Sequence, residues 1–291
     1  LPVSEVVKTR GDQIEQCLSA CKKYGIECHI WKVNWCLFGE APIDFVEKLR
    51  KEKRLQVNKE GKEYVWLSPS NPANVWLCPS NPANFKLEFD SMIEIVKKYD
   101  VDGIHFDYIR YPDSSSCYCE NCKKIFEDEN KVKIERWPED VITGKYKELY
   151  TIWRQEQITK LVREVSKEAK KIKPNIKISA AVSGCYPFCK ESGGQDWKLW
   201  IENGYLDFVC PMDYTGVNST FKGWVIYQNE IIKKKTKFYP GIGAYILPPE
   251  DIVKQIEISR ELQTDGFILF NYDSTLLEKL DFLGTGITGK D

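Results

Sequence analysis

The chain has 291 residues, of which 42% are hydrophobic and 13% aromatic, and can therefore bury a sizeable core. This length and composition exclude both a disordered protein and a small domain that depends on disulfides for its stability. Its 42 Lys and Arg nearly balance 43 Asp and Glu, and the formal net charge of -1 argues against a nucleic-acid partner. The longest apolar runs, such as 266–270, are far shorter than the ~20 residues of a bilayer crossing, so we expect no membrane span.

Short β-branched or aromatic runs alternate along the chain with longer segments of helical periodicity, and no change in composition marks a linker. Predicted helices occupy 12–24, 42–51, 84–99, 145–171, 196–203, 221–234 and 249–262. Predicted strands occupy 26–35, 64–67 or its copy 75–77, 101–109, 176–183, 206–212, 238–243 and 266–271. This alternation predicts a single domain over residues 1–291, with a parallel sheet covered by helices.

The number and order of these units favour an α/β fold of the (β/α)8 TIM-barrel type. Seven strand units can be counted and the first predicted element is a helix, so we expect a barrel that is entered after its first strand. The chain also begins with Leu1 rather than Met, which predicts a processed or excised piece. An open doubly wound sheet is disfavoured because no glycine-rich phosphate loop follows any predicted strand.

A ten-residue segment is duplicated in tandem. The sequence V-W-L-S-P-S-N-P-A-N at 65–74 is followed by V-W-L-C-P-S-N-P-A-N at 75–84, a repeat too short to build a solenoid. We expect one copy to end a strand and the other to lie in a loop. The second copy is expected in the regular position, since it leads directly into the next predicted helix.

The segment 101–112 contains the strongest candidate for catalysis, because catalytic groups of a barrel lie at the carboxyl ends of its strands. Side chains alternate along a strand, which places Gly103, His105 and Asp107 on one face and large apolar residues on the other. We therefore expect His105 and Asp107 to point into the barrel, with Asp107 at the rim. A carboxylate there is costly to desolvate, which marks a candidate functional group; the alternative is a structural pair with Arg110 or His105.

A second carboxylate, Asp213, directly follows the predicted strand 206–212 and is the candidate partner of Asp107 in general acid/base work. Paired carboxylates that cleave a glycosidic bond lie ~5–5.5 Å apart in retaining enzymes and ~6.5–9.5 Å apart in inverting ones. Two further acids have simpler interpretations. Asp196 is typical of a helix N-cap, and Glu191 of a solvated loop residue.

Aromatic and polar residues near the strand ends suit the recognition of a sugar, although core packing is favoured for any single tryptophan. Flat rings that could stack on a sugar are Trp31, Trp35, and Trp66 or Trp76. Polar residues that share strand faces are Lys32 with Asn34 and Asn271 with Asp273, where they could bind hydroxyls or be solvated. The predicted substrate-binding residues are His105, Tyr108, Arg110, Tyr214, Trp31, Asn34 and Asn271.

The eleven cysteines are odd in number and do not form the framework of a small secreted domain. Cys17 and Cys21 share the apolar face of a predicted helix, which favours small buried hydrophobes. The thiols of Cys117, Cys119 and Cys122 have a spacing that suits a structural zinc if a fourth ligand folds in. A disulfide or a site without metal is an equal alternative. Cys185 and Cys189 are candidates to complete the zinc site or to form a bridge.

The segment Y-D-V-D-G-I-H-F-D-Y-I-R-Y-P at 99–112 resembles the signature of the glycosyl hydrolase-like family 10 barrels. W-L-C-P-S-N-P at 76–82, Q-D-W at 195–197 and D-F-V-C-P-M-D-Y-T at 207–215 follow in the family's order. The resemblance implies a (β/α)8 fold that acts on a polysaccharide or glycan, with Asp107 as a catalytic carboxylate. The sequence departs from the family in its absent first strand, its duplication and its C-Y-C-E-N-C segment, which resembles the zinc-binding loop of some barrel β-galactosidases.

The leading hypothesis is a glycoside hydrolase-like barrel that cleaves a glycosidic bond in a carbohydrate substrate with Asp107 and Asp213 and requires no cofactor. The alternative is a non-catalytic carbohydrate-binding barrel. Metal-assisted deacylation has little support, because His29 and His105 are the only histidines and no H-E-x-x-H motif occurs. Barrels of this kind are often exported, which favours a secreted or cell-envelope location, whereas many reduced cysteines would suit a cytoplasm.

Overall fold

A parallel sheet surrounded by helices forms the centre of the protein in a computed structural model that describes residues 5–38, 41–68 and 71–273, with positions 276, 279, 283 and 284. The strands are β1 (His29–Val33), β2 (Cys36–Leu37), β3 (Val65–Ser68), β4 (Asn71–Trp76), β5 (Gly103–Asp107), β6 (Lys177–Ser183), β7 (Phe208–Met212), β8 (Lys237–Phe238), β9 (Gly241–Gly243) and β10 (Ile268–Phe270). The helices are α1 (Glu5–Arg10), α2 (Gln13–Tyr24), α3 (Ile43–Lys51), α4 (Pro82–Lys98), α5 (Glu120–Asn130), α6 (Glu139–Ile142), α7 (Lys147–Ile172), α8 (Phe188–Gly193), α9 (Trp197–Glu202), α10 (Asn218–Ile232) and α11 (Pro249–Glu261).

The strands of the large sheet follow the order β1-β5-β6-β7-β9-β10, and β8 and β9 are successive segments that both pair with β7. All of these pairings are parallel. In the described part of the chain, β1 and β10 stand at the two ends of this order and do not pair with each other. The sheet nevertheless curves strongly. Its curvature brings the Trp31 ring on β1 and the Phe270 ring on β10 together, with centroids 6.4 Å apart. The predicted α/β fold of the TIM-barrel type is confirmed.

The outer face of the sheet is buried beneath the helices. Ile104 and Phe106 on β5 are fully buried and belong to the same apolar core as Met92 of α4 and Leu161 of α7. Strands that are covered on their outer face by helices need large apolar side chains at every second position. The inner face of β5 is therefore left to Gly103, His105 and Asp107.

The tandem repeat does not enter the parallel sheet. It supplies β3 and β4, which join β2 in a separate three-stranded antiparallel sheet in the order β2-β4-β3. The expectation that one copy lies in a loop is wrong, since the first copy supplies β3 and the start of β4, and the second copy ends β4 and leads into α4. The physical reason is that β1 pairs directly with β5, with His29 opposite Gly103, so no position is open between them.

Several helices begin at the residues that the sequence indicates. Asp12 caps α2 by accepting a hydrogen bond from the backbone N–H of Ile14, and Asn81 caps α4 in the same way with Ala83. The predicted N-cap role of Asp196 is confirmed, because its side chain accepts from the backbone of α9.

Four helices, α1, α5, α6 and α8, are absent from the sequence prediction. Three of them have six residues or fewer, too short for a clear helical period, and α5 is a largely charged segment with few apolar side chains. The longest helix, α7, has 26 residues and alternates buried with charged positions. Across the described residues, no helix has an apolar stretch long enough to cross a bilayer.

Candidate functional site

An open cavity of about 1330 Å³ lies on the inner face of the parallel sheet. Its lining includes residues from β1, β5, β6, β7, β9 and β10: His29, Trp31, His105, Asp107, Ala181, Phe208, Cys210, Gly241 and Phe270. A typical small-molecule site has ~300–1000 Å³, so this space can accept a ligand of several rings. The carboxyl ends of parallel strands lie at one mouth of the cavity, which is the end where barrel enzymes carry their catalytic groups.

Asp107 is the last residue of β5 and lines the cavity near this mouth, with only 6% of its surface exposed. Its Oδ2 accepts a hydrogen bond from the indole N–H of Trp31 at 2.9 Å. Its Oδ1 accepts from the backbone N–H of Tyr108 at 2.7 Å. Both oxygens are therefore held in fixed directions, and the carboxyl group lies where the alternation of β5 predicts it.

The pKa of the Asp107 carboxyl is raised above its ordinary value because burial disfavours the charged form. The hydrogen bonds from Tyr108 and Trp31 and the charge of Arg110 act in the opposite direction, and burial outweighs them. A carboxyl group with a raised pKa keeps its proton at a higher pH, as a general acid requires.

The two structural pairs considered for Asp107 do not form. The His105 ring bonds to Ser179 Oγ at 2.8 Å, and Arg110 donates to the carbonyl oxygens of Tyr111 and Pro112. The Arg110 guanidinium lies over the Trp76 and Tyr108 rings, at 5.5 and 5.3 Å from their centroids. Asp107 is therefore available to a molecule in the cavity.

His105 lies two residues before Asp107 on the same face of β5 and lines the cavity at a deeper level. Its ring stacks near Phe208, with centroids 6.5 Å apart. Burial lowers the pKa of His105 to about 4, with a smaller contribution from His29, so the ring is neutral at neutral pH. It can donate or accept one hydrogen bond at the floor of the cavity but carries no charge there.

Aromatic side chains line the cavity beside Asp107. Trp31 is 51% exposed and Tyr272 is 71% exposed, so both offer ring surface to a ligand. Tyr214 stacks on Phe270 with centroids 5.5 Å apart, and both rings line the cavity, as does Asn271. The structure thus brings Trp31, Tyr214 and Asn271 together with Asp107.

Other predicted sugar-binding aromatics lie elsewhere. Trp35 and Trp76 are fully buried in the core and cannot stack on a ligand. The side chain of Trp66 lies outside the described residues. Tyr108 adopts a left-handed backbone with φ of 51° and packs its ring against Phe38 and Trp76, so it supports Asp107 through its backbone N–H and does not line the cavity.

Asn34 does not take the predicted substrate-binding position. It is fully buried, and its side-chain amide donates to Glu88 of α4 at 2.7 Å. Lys32 bonds to the same Glu88 carboxylate at 2.5 Å. Since Trp31 faces the cavity, alternation turns Lys32 and Asn34 outward to the helix.

Asp213 does not lie in the cavity with Asp107, so the structure does not bring the two predicted carboxylates together. On this segment the cavity is lined by Phe208, Cys210 and Tyr214, which are all at even positions. Because side chains alternate along a strand, Asp213 points to the opposite side, away from the cavity. Its fully buried Oδ1 accepts from the side-chain amide of Gln228 on α10 at 2.7 Å. A β-carbon at Gly184 would lie 2.2 Å from this oxygen, so the carboxyl group fits only because that residue is glycine.

The surroundings of Asp213 favour its protonated form. Burial raises the pKa of Asp213 to about 8, against the single hydrogen bond from Gln228. Asp213 Oδ2 and Gln228 Oε1 are both buried and lack a hydrogen-bond partner. A proton on Oδ2 can be donated to Oε1, which satisfies both atoms and gives an acid–amide pair with two hydrogen bonds.

Four buried cysteines form a cluster apart from the cavity. The Cys78 Sγ lies 3.7 Å from that of Cys119 and 3.5 Å from that of Cys122, and the last two are 3.6 Å apart. Cys117 Sγ completes the group, with all four sulfur atoms within 4.8 Å of one another. The fourth thiol beside the predicted three is therefore Cys78.

The predictions for the other cysteines are wrong. Cys185 is exposed, and the buried Cys189 donates to the Gln195 carbonyl, so neither joins the cluster. Cys17 is exposed and Cys21 half-buried, contrary to the expectation of buried small hydrophobes. They lie near Cys28, whose Sγ is 3.8 Å from that of Cys17.

Three residues near the site were not singled out from the sequence. Phe270 and Tyr272 line the cavity, and Tyr245 packs edge-on against Phe270 with centroids 6.0 Å apart. Their signal is an aromatic residue at or just after the carboxyl end of a predicted strand. For Cys78, the signal is the repeat itself, because the two copies differ only at Ser68 and Cys78.

The family described as Glycosyl hydrolase-like 10 matches residues 4–257 of the chain. Among curated relatives, the glycosyl hydrolase YngK of Bacillus subtilis is 22% identical over 200 residues, which cover 58% of this chain and 36% of YngK. The glycosyl hydrolase DigH of Escherichia coli strain CFT073 is 22% identical over 213 residues, which cover 62% of this chain and 45% of DigH. The chain thus spans less than half the length of these relatives.

Solved structures share the fold. The glycoside hydrolase domain of PgaB from Bordetella bronchiseptica is similar with a TM-score of 0.70 and 11% identity, covering 91% of this chain and 75% of that one. The β-galactosidase Gan42B from G. stearothermophilus has a TM-score of 0.62 and 11% identity, covering 89% of this chain and 43% of that one. At such identities the likeness concerns the fold alone.

Proposed function

The chain belongs to the glycosyl hydrolase-like 10 family, and from this premise we propose that it binds a polysaccharide or glycan in the cavity and cleaves a glycosidic bond with Asp107 as the general acid. The observation that carries the proposal is the position of Asp107, a buried carboxyl group that faces a ring-lined cavity at the carboxyl ends of parallel strands. Burial raises its pKa, which suits an acid that must be protonated before it reacts.

Asp107 is distinguished from the other acids of the cavity. Among the described lining residues these are Glu27 and Asp207, which lie just before β1 and β7 and thus at the opposite, amino end of the sheet. Glu27 pairs with Lys177, and Asp207 pairs with Lys170 at 2.7 Å. Both are therefore ion-pair partners of lysines, and Asp107 is the described acid of the cavity that suits proton donation.

In the proposed reaction, the proton of Asp107 moves to the glycosidic oxygen as the bond between that oxygen and the anomeric carbon breaks. The leaving sugar departs with a hydroxyl group. Water adds its hydroxyl to the anomeric carbon, and its proton restores the acid. The hydrogen bonds from Trp31 and the Tyr108 backbone stabilise the carboxylate that forms when the proton leaves, and the nearby charge of Arg110 acts in the same sense.

Sugar rings would be held by the aromatic residues beside Asp107. The exposed faces of Trp31 and Tyr272 can stack on the apolar face of a pyranose, and Tyr214 and Asn271 can bond to its hydroxyls. His105 would contact the ligand at the floor as a neutral donor or acceptor. No cofactor takes part in this chemistry.

Replacing Trp31 with Phe should shift the upper limb of the pH–activity profile to higher pH. Phe keeps a ring for stacking but loses the indole donor, and the pKa of Asp107 rises because its charged form has lost a hydrogen bond. The measurement is the hydrolysis rate as a function of pH. Trp137→Phe is the control, since that indole donates to the Tyr118 carbonyl away from the cavity. An upper limb that stays in place or moves down would show that Asp107 is not the acid observed.

The function is tested by incubating the purified protein with a panel of polysaccharides and cell-wall glycans and measuring new reducing ends. Cleavage of at least one class is the expected result. The panel should include charged and neutral chains, because the described lining carries both lysines and carboxylates.

A second candidate function is carbohydrate binding without hydrolysis. One observation favours it: Asp213 is turned away from the cavity, which leaves Asp107 without the predicted second carboxylate. Glycan affinity without product, unchanged in the Asp107→Asn variant, would support this candidate over hydrolysis.

A further inference from the structure

We infer that Cys78, Cys117, Cys119 and Cys122 bind one zinc ion that fastens the loop after β5 to the antiparallel sheet. All four side chains are buried and come from two separate segments of the chain: Cys78 lies just after β4, within the second copy of the repeat, and the other three lie just before α5 and in its first turn. Four converging thiols at this spacing form a complete ligand set for a tetrahedral structural zinc. This inference does not depend on the proposed glycan chemistry.

The distances between the sulfur atoms fit a single metal ion. Four sulfur atoms that each lie ~2.3 Å from a zinc at the corners of a tetrahedron are ~3.8 Å apart. The distances between the sulfur atoms of Cys78, Cys119 and Cys122 are 3.7, 3.5 and 3.6 Å. A disulfide brings two sulfur atoms to ~2.05 Å and separates them from the others, which this nearly equilateral arrangement does not show.

The surroundings of the thiols suit thiolate ligands. The backbone N–H of Val57 donates to Cys117 Sγ at 3.4 Å, and the backbone N–H of Cys122 donates to Cys119 Sγ at 3.4 Å. Ser80 Oγ lies 3.2 Å from Cys78 Sγ and 3.2 Å from Cys122 Sγ. Such donors spread the negative charge of a tetrathiolate site and orient its ligands.

The one residue that differs between the two copies of the repeat supplies a ligand of the proposed zinc site. The first copy has Ser68 where the second has Cys78, so the duplicated segment carries a metal-binding thiol in one copy only. Cys78 follows Trp76, whose ring lies under the Arg110 guanidinium. A zinc ion would therefore hold the segment around Trp76 against the loop that continues from Asp107 and Arg110.

The experiment measures metal content and thiol number in the protein purified without added chelator. We expect about one zinc per chain, released when a mercurial reagent titrates the four buried thiols. Cys78→Ser, which makes the second copy identical to the first, should lose most of the zinc. Cys189→Ser is the matched control, because it removes a buried thiol outside the cluster, and it should keep the zinc.

A second measurement covers the case in which Cys78→Ser fails to fold. Cobalt introduced into the wild-type protein should give the charge-transfer and ligand-field spectrum of a tetrahedral tetrathiolate site, and a chelator should lower the unfolding temperature. Protein that folds with no metal, that contains iron in place of zinc, or that has disulfides among these cysteines would overturn the inference. Zinc that is retained while no glycan is cleaved would refute the proposed function and leave the metal site intact.

Discussion

Asp107→Asn should abolish glycan hydrolysis, with a loss of at least ~10²–10⁴-fold in rate, and leave the fold intact. Asn cannot donate a carboxyl proton to a leaving oxygen, so the acid step is lost. The amide oxygen can still accept the backbone N–H of Tyr108, and the substitution removes a carboxyl group that is costly to bury. The measurement is the rate of new reducing ends for wild type and variant, with thermal unfolding to verify folding.

The matched control for this prediction is Asp213→Asn, the same chemical change at the other predicted carboxylate. Asp213 faces Gln228 of α10 and does not line the cavity, so this variant should hydrolyse glycans at close to the wild-type rate. Full activity in Asp107→Asn would remove that residue from the mechanism. Loss of activity in a well-folded Asp213→Asn variant would restore the paired-carboxylate hypothesis.

The stability of the wild-type protein should fall between about pH 4 and pH 8 by up to about 5 kcal/mol through Asp213 alone. Its folded-state pKa of about 8 lies above the ordinary value of 3.8, so the folded protein keeps a proton that the unfolded chain releases. The protonated form stabilises the fold fully below pH 4, and this contribution is lost as pH rises through 8. Urea unfolding over this pH range measures the slope.

Asp213→Asn should remove this slope. Asn places an oxygen and an N–H opposite the Gln228 amide, so it can make both hydrogen bonds at every pH. The variant should therefore match the wild type at pH 4 and exceed it at pH 8. A wild-type stability that stays flat over this range, or a variant that is less stable at pH 8, would show that Asp213 is ionised in the folded protein.

Sequence patterns determined the parts of this protein in which the two faces of an element differ strongly. In β5, Gly103, His105 and Asp107 alternate with large apolar residues, and only one assignment buries the apolar set beneath helices. The inward position of Asp107 therefore followed from the sequence. The alternation of strands and helices likewise determined the parallel sheet.

Tertiary structure alone decided the cases in which both faces of an element look alike. In the segment 208–214, apolar residues occupy both odd and even positions, so the alternation does not identify the inner face. The sequence therefore could not show that Asp213 points outward to Gln228 while Tyr214 points into the cavity. The direct pairing of β1 with β5, which sends the repeat to its own sheet, and the arrival of Cys78 beside Cys119 and Cys122 depend on contacts between residues distant along the chain. Local periodicity records which side of an element is apolar, whereas the partner that covers each side is chosen only when the whole chain packs.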